Sequence, residues 1–393
     1  MEKIKNSKNI MLMVPLLDQG GLERICAMTA KLLNDKYNLI LVVFSTKNML
    51  YDVSAVELYD LELGSKPGIF NKAVNVFRRI CAVKRIKKQR NIQITYSFGP
   101  TANLINALSR VRDKIWIGIR GYGALKAKAS MMLTCRRADK VICCAQEMAD
   151  DVEAFFHPKS VECLYNPCDT KLLRSMEKEQ GDLQHEHFLE SKSSIIASMG
   201  RADDVKGFWH QIKAFSLIKK EIPGAGLMII GDGDFSQYKK LANELGISDS
   251  VLFTGVQKNP FCYLKKAALY IMTSATEGFP NAMVEAMAVG LPVVSVNCKT
   301  GPAEILTNDY RQAKAQDKVY EGEYGILLPI MNPIKNLDAD MIDEEEKVLA
   351  KTVINLLNKP ERLKMLGENA EARSDFFSTE RYVEQLSDMI ENN

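Results

Sequence analysis

The chain has 393 residues, which at roughly 150 per domain suits two domains, each able to bury an apolar core. With 46% hydrophobic and 26% charged residues, 23 Gly and 13 Pro, the composition excludes a disordered, fibrous or low-complexity protein. Net charge is only +3, yet residues 1–170 hold 26 Lys and Arg against 16 Asp and Glu, and the remainder 26 against 33. The first half therefore suits phosphate-bearing partners, of nucleic acid or of an anionic membrane, that the second half does not.

The N-terminus, Met1 to Asn9, is polar, and the apolar run that follows, Ile10 to Leu17, is only strand-length. It has neither the apolar core nor the cleavage site of a signal peptide. No window approaches the roughly 18 uninterrupted apolar residues of a spanning helix. The nine cysteines are scattered, with Cys143 and Cys144 adjacent and no Cys-x-x-Cys pair, which is the usage of a reducing compartment. The expected location is cytoplasmic, with peripheral attachment to the inner face of the cell membrane open.

From Ile10 onward, strand-length apolar runs alternate with helical periodicity. Ile10 to Leu16, Leu39 to Phe44, Ile92 to Ser97, Ile115 to Ile119 and Val141 to Ala145 read as strands. Gly21 to Asn34, Thr101 to Ser109 and Lys126 to Ala138 read as helices. Between Asn71 and Arg90 a basic segment carries Lys72, Arg78, Arg79, Lys84, Arg85, Lys87, Lys88 and Arg90 and no acid, with Val76, Phe77, Ile80, Val83 and Ile86 interleaved. It fits either a core-packed helix with a solvated basic face or a face resting on anionic headgroups. It has no nucleic-acid reading motif and no interleaved stacking aromatics, so no nucleic-acid partner is expected.

After Asn166-Pro167 the pattern breaks into a polar stretch, and residues 171–193 are expected to link the domains. Alternation resumes with strands at Ile195 to Met199, Leu227 to Ile230, Val251 to Thr254, Leu269 to Thr273 and Pro292 to Val296. Helices are read at Phe208 to Lys219, Tyr238 to Leu245 and Asn281 to Val289, and the tail from Glu344 is helical by period. The expected architecture is α/β with two doubly wound sheets: residues 1–170, then 194–374, and a C-terminal helix within 375–393 that returns to the first domain. Ligands of such sheets bind outside the carboxyl ends of the strands.

Three segments at predicted strand ends carry chemistry. In Glu277-Gly278-Phe279-Pro280-Asn281-Ala282-Met283-Val284-Glu285 two carboxylates stand eight positions apart around a tight turn that opens a helix, whose first amides would face an anion. On spacing alone these carboxylates also fit a solvated helix face. Gly200-Arg201 followed by Lys206-Gly207 offers a planar fork and a point charge for phosphate oxygens. Gly231-Asp232-Gly233-Asp234 permits close backbone approach, and its Asp-x-Asp reads as a turn rather than a metal site. His157, His185, His187 and His210 lack metal-ligand spacing apart from the His-x-His pair and are expected to be exposed.

In one order, Gly200-Arg201, Lys206-Gly207, Gly231-Asp232-Gly233, Val251 to Gly255, the Glu277 to Glu285 run and Gly290-Leu291-Pro292-Val293-Val294 resemble glycosyltransferase family 4 over about residues 195–330. Gly20-Gly21-Leu22-Glu23-Arg24, Asn166-Pro167 and Cys298 to Leu306 extend the resemblance. It implies the GT-B fold, two Rossmann-like domains facing across a cleft, and a retaining, metal-independent hexosyltransferase with no cofactor. The resemblance assigns the donor diphosphate to Arg201 and Lys206, the sugar hydroxyls to Glu277 and the ribose to Glu285. Backbone at Gly278, Phe279, Pro280 and Asn281 would cradle phosphate, Gly200 and Gly231 would line the donor site, and Gly20 and Gly21 would admit the first domain to the reacting centre. Many relatives place a His where this sequence has Ile117-Gly118-Ile119-Arg120-Gly121. A subgroup that builds surface polysaccharides resembles it in Arg120, Ser97-Phe98 and Asn103, which makes Arg120 a candidate at the reacting centre. The implied partners are a nucleotide-sugar donor, UDP-linked, carrying a hexose or N-acetylhexosamine, and a glycan acceptor on a lipid carrier. A UDP-sugar 2-epimerase or a non-catalytic sugar-nucleotide-binding module are the alternatives.

Overall fold

The computed structural model describes residues 6–65, 68–179 and 185–392. It divides into two compact units, Met1–Pro167 with Thr379–Asn393, and Cys168–Ser378. In the first, β1 (Asn6–Val14), β2 (Tyr37–Val43), β3 (Glu57–Asp60), β4 (Ile94–Phe98), β5 (Lys114–Ile119), β6 (Lys140–Cys143) and β7 (Val161–Cys163) form one parallel sheet in the order β3-β2-β1-β4-β5-β6-β7. A parallel sheet is covered on both faces, which is why these strands are apolar almost without interruption. Ile10, Leu12 and Val14 pack on one face with Ile25, Ala30 and Leu33 of α1 (Gly21–Asn34). Met11 and Met13 pack on the other with Val83 and Ile86 of α2 (Ile69–Gln89) and with Ala102 and Ile105 of α3 (Pro100–Leu108). A single strand with period 2 thus feeds two cores.

The helix Thr379–Glu391 belongs to this unit. Tyr382, Val383, Leu386 and Ile390, at helical spacing, join the α1 face of the core. The Tyr382 and Thr29 hydroxyls lie 2.8 Å apart, and Lys8 Nζ donates to the Ile390 carbonyl at 2.6 Å.

One polar feature sits inside the first unit. Lys87 Nζ lies 2.8 Å from Asp113 Oδ2, with both side chains fully buried. Lys87 also donates to Asn106 Oδ1 at 2.9 Å, and Thr95 Oγ1 donates to Asp113 at 2.7 Å. Asn106 Nδ2 reaches the carbonyls of Thr95 and Trp116, fastening α3 to β4 and β5. Burial pulls the Lys87 ammonium below its ordinary pKa, against the attraction of Asp113.

In the second unit β8 (Ser194–Met199), β9 (Ala225–Ile230), β10 (Val251–Gly255), β11 (Leu269–Met272), β12 (Val293–Val296), β13 (Tyr320–Gly322) and β14 (Gly325–Leu328) run in the order β10-β9-β8-β11-β12-β14-β13. Only β13, at the edge, is antiparallel. Strand order reverses between β1 and β4 in the first sheet and between β8 and β11 in the second. These are the switch points at whose carboxyl ends doubly wound sheets take ligands.

Several expectations require correction. Residues 171–179 and 185–193, expected to link the domains, fall in the second unit. The helix Thr170–Met176 is anchored there by Arg174, which donates to the Ala288 carbonyl and pairs with Glu371 and Asp375 at 3.1 Å. The helix Glu186–Ser191 follows, and the predicted break at Gln180-Gly181 lies outside the described residues. The short strands β3, β7, β13 and β14 and the helix Gln146–Phe156 went unread. Arg79 and Lys87 are buried and Arg90 pairs with Glu57, so the exposed cations of α2 reduce to Lys72, Arg78, Lys84, Arg85 and Lys88. His210 is buried rather than exposed.

Removing one member of the buried pair leaves an uncompensated charge, which costs about 3–5 kcal/mol. Asp113→Ala is therefore expected to lower unfolding free energy by about that much in urea denaturation. The double variant Lys87→Met, Asp113→Leu should recover most of the loss.

Candidate active site

The donor-side candidates of the second unit gather at its switch point. β8 ends at Met199, and the loop to the helix Phe208–Glu221 carries Gly200, Arg201 and a one-turn 3-10 helix, Asp204–Lys206. Two glycines are dictated by packing. A Cβ on Gly231, at the end of β9, would stand 1.8 Å from the Gly200 carbonyl oxygen. Gly207, with φ +64°, would bring a Cβ within 2.5 Å of the Thr273 carbonyl oxygen.

The loops after β8 and β11 are fastened to each other. Thr273 Oγ1 donates at 3.0 Å to the carbonyls of Lys206 and Gly207, and Ala275 N–H donates to Val205 at 2.8 Å. A third loop, after β12, joins them: Glu277 N–H donates to the Lys299 carbonyl at 3.3 Å, and the Thr300 hydroxyl donates to the Glu277 carbonyl. On this frame Lys206 Nζ meets Glu277 Oε1 at 2.7 Å, with side chains 27% and 10% exposed. Lys206 engages Oε1 of Glu277, and Oε2 has no hydrogen-bond partner among the described residues, so it can accept from a ligand hydroxyl. Arg201 pairs with Asp203 at 3.0 Å with both side chains largely exposed, a contact weak enough for an anion to displace.

Gly278, Phe279 and Pro280 lead into the helix Asn281–Ala288. Phe279 is buried edge-on against Phe377, which fixes the turn. Pro280 rather than Asn281 caps the helix, and the Asn281 N–H turns back to the Phe279 carbonyl at 2.9 Å. Glu285 is buried on this helix. Tyr270 joins the two carboxylates: burial raises its phenol pKa, and the Glu277 and Glu285 charges add to the shift. Tyr270, whose hydroxyl lies 3.3 Å from the Met199 carbonyl oxygen, was not singled out from sequence because inside a strand it reads as core. Ser274 Oγ and Thr276 Oγ1, just before Glu277, are buried with no hydrogen-bond partner among the described residues.

Asp232 and Asp234 engage their own turn, accepting from the N–H groups of Gly233 and Ser236 at 2.8 Å. His210, Asp343 and Glu346 cluster closely enough to hold a cation. Both His210 nitrogens are engaged, however, with Glu346 Oε1 at 2.7 Å and the Asn332 carbonyl at 2.9 Å.

The first unit holds the other candidates at its own strand ends. Gly20 and Gly21 open α1, with the Tyr51 hydroxyl donating to the Gly20 carbonyl at 2.9 Å. Arg120 follows β5. Its guanidinium donates to Asn166 Oδ1 at 2.8 Å, to the Leu164 carbonyl at 3.2 Å and to the Tyr96 hydroxyl. It lies over the Phe98 ring, and its Nε is buried without a partner. No carboxylate comes within ion-pair distance of it among the described residues.

Residues 180–318 match the family described as Glycosyl transferases group 1. An uncharacterized glycosyltransferase of Methanocaldococcus jannaschii is 31% identical over 260 residues, covering 65% of this chain and 64% of that relative. The chain therefore spans somewhat less than two thirds of that relative's length. A Campylobacter jejuni N-acetylgalactosamine-N,N'-diacetylbacillosaminyl-diphospho-undecaprenol 4-alpha-N-acetylgalactosaminyltransferase is 25% identical, covering 80% of this chain and 84% of its own. Among solved structures, Anabaena HepE in complex with UDP-glucose superposes with TM-score 0.75 at 18% identity, over 98% of this chain and 100% of that one. The chain thus has the GT-B fold, and residues 180–318, which fall in its second unit, are similar to the glycosyl transferases group 1 family.

Proposed function

We propose that the chain is a retaining hexosyltransferase that uses a UDP-sugar, without a metal or other cofactor, to extend a lipid-linked glycan. The observation that carries this reading is the Lys206–Glu277 pair at the second switch point, beside the opening of the helix Asn281–Ala288. A departing nucleoside diphosphate gains negative charge at the breaking bond, and fixed cations and helix amides aimed there stabilise it. Lys206, Arg201 and the backbone amides of Gly278 and Phe279 supply that function; Pro280 has no N–H, and the Asn281 N–H is held by the Phe279 carbonyl. Glu277 Oε2 takes a sugar hydroxyl, and Glu285 takes the ribose. Gly200 and Gly231 keep the floor low enough for the phosphates to approach. Arg120 acts as a positioning residue for Tyr96 and Asn166.

Retention follows from the family resemblance: the acceptor hydroxyl attacks on the leaving-group side and gives its proton to a phosphate oxygen. UDP is supported by the HepE complex with UDP-glucose. A lipid-linked acceptor is supported by the Campylobacter relative, whose name specifies a diphospho-undecaprenol carrier. No helix among the described residues is long and apolar enough to cross a membrane. The exposed cations of α2, with Phe77 68% exposed among them, suit peripheral attachment to an anionic surface.

Arg201→Ala and Lys206→Ala should each lower kcat by about a hundredfold or more. Glu277→Ala should abolish turnover with an unchanged circular dichroism spectrum; near wild-type kcat/KM would overturn the assignment. Glu285→Ala should weaken UDP binding by about 1–3 kcal/mol, read by calorimetry. With an α-linked UDP-sugar, NMR of the product should show an α-linkage formed in EDTA. A β-linked product, or activity restored only by Mn²⁺, would contradict the mechanism. Each exposed cation near an anionic bilayer contributes about 1 kcal/mol. Replacing Lys84, Arg85 and Lys88 by Ser should therefore abolish salt-sensitive co-sedimentation with anionic liposomes; unchanged sedimentation would exclude this face.

A further inference from the structure

Thr300 adopts a conformation that its residue type disfavours. It is fully buried with φ +60°, in the left-handed region where a β-branched side chain is a genuine outlier, and Gly301 follows at φ +95°. Such outliers persist where surrounding contacts hold them, and they cluster at functional sites. We infer that Thr300 is a positioning residue for the donor diphosphate: its hydroxyl sets the orientation of the Glu277–Gly278 peptide and so aims the Gly278 N–H at a phosphate oxygen. The inference rests on the donor site proposed above.

Two consecutive positive φ angles turn the chain sharply after β12 and bring it onto the turn that follows β11. Thr276 and Lys299 form a parallel bridge, and the Glu277 N–H donates to the Lys299 carbonyl at 3.3 Å. A Cβ on Gly301 would stand 2.4 Å from Pro280 Cδ, so the two loops are in contact with no room for a side chain between them. Across this contact the Thr300 hydroxyl donates to the Glu277 carbonyl, which no other donor reaches among the described residues.

A peptide unit is planar and trans, so its C=O and N–H point in opposite directions. Fastening the Glu277 carbonyl to Thr300 therefore turns the Gly278 N–H away from the loop after β12. Because β11 lies between β8 and β12 in the sheet, that side is the side of the loop after β8, which carries Lys206. The Gly278 N–H has no acceptor among the described residues, as an amide kept for a ligand anion requires. Gly278 supplies no restraint of its own: without a Cβ it tolerates either sign of φ, so this peptide can flip unless its carbonyl is held. Glycine at position 300 would adopt φ +60° at less cost and leave that carbonyl unheld.

The test pairs Thr300→Val, which keeps size and branching but removes the hydroxyl, with Thr300→Ser, which restores it. Thr300→Val should weaken UDP binding by calorimetry at least about tenfold, the effect of one lost hydrogen bond to a charged group. Uridine, which has no phosphate, should bind this variant as it binds the wild type in an NMR titration, and Thr300→Ser should restore UDP affinity. A second measurement needs no variant: in wild type carrying isotope-labelled glycine, the Gly278 amide proton should move downfield when UDP binds and stay in place when uridine binds. Equal loss of UDP and uridine affinity in Thr300→Val, no loss of either, or a Gly278 amide unmoved at saturating UDP would overturn this inference and leave the donor site standing. Failure of the wild type to bind UDP would instead overturn the donor-site reading on which it rests.

Discussion

The Lys206–Glu277 contact depends on three loops that leave β8, β11 and β12 and are hydrogen-bonded to one another before any ligand arrives. Thr273 holds the backbone of residues 206 and 207, Ala275 holds Val205, and Thr300 holds Glu277. A cation and a carboxylate on long side chains gain little from pairing in open water. Here their stems are partly buried on a shared frame, so ordering them adds little cost when a ligand binds. Such preorganisation lets a fixed charge favour the transition state, because no reorganisation is needed as charge develops. Tyr270 extends the same logic inward, its phenol kept protonated by burial and by the two neighbouring carboxylates.

The first unit solves a different problem with similar means. Its sheet is dry on both faces, yet Lys87 and Asp113 lie inside it. Such a pair is costly to desolvate and becomes tolerable only when the remaining hydrogen-bonding capacity is met. Asn106 and Thr95 meet it, and in doing so they tie α2 and α3 to β4 and β5. The same sheet directs Arg120 inward, where aromatic rings and neutral acceptors hold it without a countercharge.

The period-2 and period-3.6 patterns located the long central elements, and α1 was read to the residue, because strands buried on both faces are apolar throughout and their flanking helices are amphipathic. Edge strands β3 and β7 and the inner strand β14 are too short to show a period, and β13 is a three-residue antiparallel return. Residues 171–193 look like a linker because they are polar, but Arg174 attaches them through backbone carbonyls and acids about 115 to 200 positions away, which no local window can reveal. The candidate site was legible where turn chemistry repeats in order: Gly200-Arg201, Gly231-Asp232-Gly233 and Glu277 to Glu285. Tyr270, Ser274 and Thr276 were not, since each looks like ordinary strand or loop sequence until tertiary contacts bring it close to the carboxylates. His210 misled in the opposite sense, because a histidine on a polar-looking helix is held inside by Glu346, 136 residues later.

Hydrogen–deuterium exchange with and without UDP tests most directly that the nucleotide sits at the second unit's switch point. The account predicts that UDP slows exchange in residues 199–207 and 273–285 and leaves the sheet of the first unit unaffected. Protection confined to other segments, or none in the second unit at UDP concentrations that saturate binding, would contradict it.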